Sequence, residues 1–199
     1  CVEAVVKQQL NHCLIQLYRN GHDFIGEHSD KTIDTLKGTA VCNVSLGATR
    51  QMVFKPKQKS SGRVNQRLDL PHNSLFALGW ETNRVMTHAI RKDKRSCNDK
   101  RPDELAFDGE RISLTFRSIA TWRTNLDGFP MLYGQGAPAA TKTELRKRDE
   151  VTNEIPRLLE AFSAENKESS FDWDYHYGAG FSVINTREDS AIVSGHSEA

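Results

Sequence analysis

Between Cys13 and Trp122 the chain returns again and again to short runs of β-branched, aromatic and aliphatic residues broken by turn formers, which restricts it to an architecture of many short strands. CLIQLY (13–18), TAVCNVSL ahead of Gly47, the alternating stretch Arg50 to Lys55, Arg67 to Leu70, SLFALGW (74–80), Val85 to Ile90 and Ile112 to Trp122 each have the length and composition of a strand. One early helix competes, because VEAVVKQQL (2–10) places Val2, Val5, Val6 and Leu10 near helical spacing. Short strands joined by turns close most simply as an antiparallel double-sheet sandwich or barrel. After Trp122, LDGFPMLYGQGAPAATKT loses any strand period and reads as an irregular connection. A helix is expected from about Ile155 to Glu165, with Pro156 in its first turn and Leu158, Leu159 and Phe162 on one stripe. Beyond it FDWDYHYGAGF (171–181) carries enough aromatic surface to anchor the tail on a core.

The chain has 199 residues, enough for one substantial core, and its 37% hydrophobic content includes no run near the roughly 20 apolar residues of a membrane span. A membrane protein is excluded on that reading, and a monomer is expected. Cys1, Cys13, Cys42 and Cys97 form no C-x-x-C pair, which argues against a zinc ribbon or disulfide framework and for an intracellular, nuclear or cytoplasmic, setting. Cys1 stands in place of an initiator Met with no signal core behind it, so the chain reads as a domain excised from something longer. Net charge is only +1, yet Lys55, Lys57, Lys59, Arg63 and Arg67 occur with no acid among them, and Arg91 to Arg101 is a second basic cluster.

The chemistry starts at His28-Ser29-Asp30. On a strand, an H-x-D pair puts both side chains on one face, where they can share an octahedral metal; alone, the same residues read more readily as a surface turn, and context has to supply the rest. His88 on a later strand can supply a third donor, completing a two-histidine, one-carboxylate face that leaves coordination positions open on iron. Beyond it, RISLTFR alternates so that Arg111, Ser113, Thr115 and Arg117 share one strand face. Two arginines on a polar face call for anions, either acids of a neighbouring strand or the two carboxylates of 2-oxoglutarate, which the planar guanidinium fork matches well.

NHCLIQLYRNGHDFIGEHSD (11–30), VSLGATRQMVFK from Val44, LPHNSLFALGWETNRVMTH (70–88) and RISLTFR together resemble, in order, the catalytic strands of the AlkB family of nucleic-acid dealkylating dioxygenases. The resemblance covers about residues 2 to 122 and is nearest to the eukaryotic, DNA-repair branch. It implies a mainly β fold, a double-stranded β-helix or jelly roll with an N-terminal helix, residues 1–124 forming the core and 125–199 an irregular or helical extension docked on it. It further implies iron(II) held by His28, Asp30 and His88, and 2-oxoglutarate held by Arg111, Arg117, Tyr18, Gln16 and Ser113. Dioxygen is the other co-substrate, and the implied reaction is hydroxylation of an N-methyl carbon on a base in DNA or RNA, releasing formaldehyde, succinate and carbon dioxide. A small molecule or protein side chain is the alternative substrate. Gln16 and Ser113 replace customary asparagines and keep hydrogen-bonding ability. Thr32 stands where an acid commonly touches the target base, which leaves base preference open. Lys57, Lys59 and Arg63 match in place and charge a hairpin that grips the phosphate backbone, although a solubilising loop has the same composition.

Overall fold

The computed structural model describes residues 2–58, 62, 64–145 and 154–184. They form two compact units, one of the described residues within 1–30, 37–118 and 166–170, the other of those within 31–36, 119–165 and 171–199.

In the first unit a short helix α1 (Val2–Val6) is followed by β1 (His12–Tyr18), β2 (Ile25–His28), β3 (Val41–Gly47), β4 (Arg50–Pro56), β5 (Gln66–Leu70) and β6 (Ser74–Leu78). Helix α2 (Trp80–Val85), β7 (Met86–Ile90), helix α3 (Pro102–Leu105) and β8 (Arg111–Arg117) complete it. Two four-stranded antiparallel sheets result, ordered β1-β8-β3-β6 and β2-β7-β4-β5. That is the jelly-roll arrangement expected from the strand pattern. Tyr18, Val41 and Leu78 from the first sheet and Met52, Phe54, Leu70, Met86 and Ile90 from the second make one buried cluster. The α1 helix is shorter than its hydrophobic spacing predicts: Lys7 adopts φ 53, and the Leu10 N–H then donates to Glu3 Oε1 at 2.7 Å. Gly47, at φ 97, pairs with Arg111 across β3 and β8, and a Cβ there would sit 2.3 Å from the Glu110 carbonyl oxygen, so only glycine lets the backbone approach.

The second unit corrects the reading of residues after Trp122 as irregular. Thr121–Leu126 (β9) and Phe129–Gly134 (β10) pair as an antiparallel hairpin. Its turn is Asp127-Gly128, with φ 51 and 87, the two positive values that a twisted two-residue hairpin loop requires. Proline and glycine in the segment disguised the strands, while the Asp-Gly dipeptide was their visible signal. Helix α4 (Ile155–Lys167) appears where its apolar stripe predicts, and a short α5 (Trp173–Tyr177) follows. Phe171, Trp173, Tyr177 and Phe181 are buried, whereas Tyr175 stays 81% exposed. Four of the five tail aromatics therefore act as core residues of this unit, as expected of aromatic side chains with packing partners.

Candidate metal centre and co-substrate pocket

β2 pairs with β7 through Ile25↔Ile90 and then His28↔His88, so three steps along β2 match two along β7. Side chains alternate along a strand, and a regular ladder would have set Glu27 opposite His88 and turned His28 outward. The extra residue is a bulge that re-aims His28 toward the face shared by Ile25 and His88. Glu27 points the other way, where it accepts from Lys55 Nζ and, at 3.0 Å, from the Thr87 hydroxyl. The two imidazoles lie 4.5 Å apart between centroids. Asp30 is not on the strand, because β2 ends at His28; the expectation of an H-x-D pair displayed by one strand is corrected in that respect. Donor atoms of His28, Asp30 and His88 nevertheless all fall within 4.8 Å of one another, a spacing that suits one metal ion.

Each donor is prepared electronically. The Gly26 carbonyl lies 2.8 Å from His28 Nδ1, which fixes the proton there and leaves Nε2 with its lone pair. Burial pushes His88 down to about 4, against the opposing pull of the Asp30 carboxylate, so its imidazole is neutral near pH 7 and fit to ligate. Arg117 donates from Nη2 to Asp30 Oδ1 at 3.0 Å, which leaves Oδ2 3.9 Å from His88 Nε2.

Across the cavity from these groups the β1–β8 register sets Tyr18 beside Arg111, Gln16 beside Ser113 and Leu14 beside Thr115. All of them, with His28, Asp30, His88 and Arg117, line one cavity. Arg111 is 1% exposed, and burial lowers its affinity for the proton. Its Nε donates to Ser45 Oγ at 2.6 Å and one Nη to Asn43 Oδ1 at 3.1 Å, both neutral partners. The other Nη, and the Nε of Arg117, are buried with no hydrogen-bond partner among the described residues. A buried guanidinium without a counter-charge is costly, and a carboxylate entering the cavity would relieve it. Two imidazoles, a carboxylate and two orphaned guanidinium donors therefore fit an iron(II) ion with a dicarboxylate beside it.

Sequence reasoning missed Asn43. Its Nδ2 donates to Ser113 Oγ at 2.6 Å and Thr115 Oγ1 at 3.1 Å while its Oδ1 accepts from Arg111, so it orients the polar face of β8. The signal was available: in TAVCNVSL, Asn43 and Ser45 are polar residues two apart in an otherwise apolar strand. The other sequence candidates fall elsewhere. Lys57 is half-buried, with its backbone N–H donating to Val85 O at 3.0 Å, and Lys59 and Arg63 lie outside the described residues. The basic cluster after Arg91 is largely neutralised, with Arg95 bound to Asp93 and Glu104, and Arg101 to Asp69 and Asp103.

Thr32 is buried in the second unit. Its hydroxyl donates to Glu165 Oε1 and its backbone N–H does so at 3.0 Å; Tyr177 donates to Glu165 Oε2 at 2.7 Å, and Trp173 Nε1 donates to the Thr32 carbonyl at 3.3 Å. The hydroxyl is thus already committed to a buried carboxylate. Thr32→Val is expected to destabilise the protein by about 1–3 kcal/mol, since a buried acceptor loses a donor; a urea midpoint equal to wild type would contradict this.

An eight-stranded double sheet that carries such a donor set beside Arg111, a buried arginine with no acidic partner among the described residues, has the make-up of a metal-dependent, carboxylate-using oxygenase. The sequence matches the 2OG-Fe(II) oxygenase superfamily over residues 2–117, and the chain belongs to that superfamily. The family's chemistry uses iron(II), 2-oxoglutarate and dioxygen. Among similar proteins, the DNA oxidative demethylase ALKBH2 of Bos taurus is 33% identical over 132 residues, covering 63% of this chain and 44% of that protein. The Homo sapiens ALKBH2 is 34% identical over 123 residues, 59% of this chain and 43% of its own length. The alpha-ketoglutarate-dependent dioxygenase alkB homolog 3 of Bos taurus is 28% identical over 124 residues, 59% of this chain and 40% of that protein. The chain thus spans less than half the length of the relatives it matches. No described helix is long and apolar enough to cross a membrane.

Proposed function

We propose that the protein is an iron(II)- and 2-oxoglutarate-dependent dioxygenase that oxidatively demethylates alkylated bases in DNA or RNA. The observation that carries the reading is the His28, Asp30, His88 donor cluster in the same cavity as the uncompensated Arg111. The names of the relatives add the substrate class. His28, Asp30 and His88 would hold iron(II), which with 2-oxoglutarate and dioxygen would supply the oxidative chemistry for hydroxylating an N-methyl carbon, released as formaldehyde, with succinate and carbon dioxide as the other products.

The protein's own part is binding, orientation and exclusion of water. Arg111 holds the distal carboxylate of 2-oxoglutarate, kept in place by Asn43 and Ser45, with the Tyr18 ring 5.1 Å from its guanidinium. Gln16 and Ser113 offer neutral hydrogen bonds from neighbouring positions of β1 and β8. Arg117 fixes the Asp30 carboxylate and keeps Nε for an anion at the metal. Met52, Phe76, Leu78 and Ile90 form apolar walls, which strengthen these charged contacts and keep bulk water from the reacting carbon. The substrate base enters flipped from its stack.

Lys57, Lys59 and Arg63 are assigned to the phosphate backbone on their charge and sequence position. Lys57→Ala combined with Arg63→Ala is expected to weaken oligonucleotide binding and to flatten its dependence on salt, read by titration at several salt concentrations; identical curves for the two proteins would retire the assignment. In this reading the enzyme acts as a monomer in the nucleus or cytoplasm. The deciding experiment incubates the protein with iron(II), ascorbate, 2-oxoglutarate and methylated oligonucleotides and follows the oligonucleotide mass. Loss of a methyl supports the function; succinate without any change in an oligonucleotide moves the substrate to a small molecule or protein side chain.

A further inference from the structure

We propose that Asn83 is a positioning residue that sets the carboxylate of Asp30 for the metal, an inference that rests on the metal-centre reading above. β2 ends at His28, so the backbone of Asp30 has no strand ladder to satisfy it, although Asp30 is only 8% exposed. Buried backbone groups need partners. The Asn83 carboxamide provides both: its Oδ1 accepts the Asp30 N–H at 2.8 Å, and its Nδ2 donates to the Asp30 carbonyl at 2.9 Å. The pair imitates the two-point bonding of a neighbouring strand, and only one orientation of the amide satisfies it. One residue earlier, the Ser29 N–H donates to Asn166 Oδ1 at 2.7 Å, so consecutive peptide groups are each gripped by an asparagine.

Asn83 is itself 5% exposed and lies in α2, which runs directly into β7 and His88. One continuous segment therefore carries the second imidazole and also holds the backbone of the carboxylate ligand. Asp30 and His88 come from stretches far apart in sequence, and the Asn83 clamp fixes their separation before any metal arrives. Preorganisation of this kind lowers the cost of assembling the donors and is read as metal affinity.

The test is titration with Mn(II), which reports the donor set without turnover, on wild type, Asn83→Ala and Asn83→Asp. The aspartate keeps an acceptor for the Asp30 N–H and sets an oxygen against the Asp30 carbonyl. Mn(II) affinity is expected to fall roughly 10- to 100-fold in both variants, while 2-oxoglutarate affinity at saturating Mn(II) stays within about twofold of wild type, since general unfolding would weaken both. Mn(II) affinity equal to wild type in either variant overturns the proposal. A second measurement needs no variant: residue-resolved hydrogen exchange of metal-free wild type should find the Asp30 amide protected, and exchange at the rate of an open loop overturns the proposal even if the variants fail to fold. Wild type that binds no Mn(II) removes the metal centre itself, which is a distinct outcome from a wild type that binds and variants that bind equally well.

Discussion

Replacing His28 with alanine is expected to abolish iron-dependent conversion of 2-oxoglutarate to succinate while the protein stays folded. The imidazole is one of three donors within 4.8 Å, and its loss leaves two donors that come from Asp30 and His88. The decline should exceed the roughly 10- to 100-fold cost of removing a group that only supports a ligand. Stability should change little, because His28 is half-buried at the end of β2, and its ring hydrogen bond to Gly26 is local. Succinate formation is measured with iron(II) and ascorbate, and the fold by denaturant midpoint. Turnover at the wild-type rate would remove the metal assignment; a collapsed midpoint would make His28 a structural residue.

The second large effect is expected at Arg111. Its 1% exposure, its neutral neighbours Asn43 and Ser45, and an Nη unpartnered among the described residues mean that an arriving carboxylate completes a buried ion pair. Removing one member of such a pair costs about 2–5 kcal/mol, or roughly 30- to several-thousand-fold in the dissociation constant of 2-oxoglutarate. Arg111→Lys should fail almost as badly as Arg111→Met, because an ammonium cannot hold Asn43, Ser45 and a carboxylate through one planar fork. The readout is the rise in melting temperature that 2-oxoglutarate gives in the presence of Mn(II), expected in wild type and lost in both variants. An undiminished rise in Arg111→Met would show that the dicarboxylate binds elsewhere.

Charge-bearing groups in this chain were legible wherever strand alternation alone decided their direction. Arg111, Ser113 and Arg117 share a face because they are two or more even steps apart on one strand, and β8 spans all of them without a break. Gln16 and Tyr18 came from the family resemblance, and the structure pairs them with Ser113 and Arg111 across β1 and β8. The rule failed at β2. Strict alternation turns His28 away from Ile25, and only the bulge reverses that, a feature written in pairing with β7 and absent from any local pattern in IGEH. Thr32 depended on distant partners too: the family resemblance put it where an acid commonly touches the target base, and in the structure its hydroxyl donates to Glu165, 133 residues further along. The β9–β10 hairpin went unseen because its proline and glycines weaken strand propensity, which the Asp127-Gly128 turn and cross-strand pairing outweigh.

By itself, then, the sequence determined which donors and cations the protein owns and which of them share a strand face, because side-chain chemistry and a period of two are local properties. Tertiary structure alone decided that His28 meets His88 across a bulged ladder, that Asn83 holds the backbone of Asp30, and that Arg111 is buried without a counter-charge among the described residues. Those outcomes depend on register and on burial, which are set by partners distant in the chain and so leave no mark at the positions they govern.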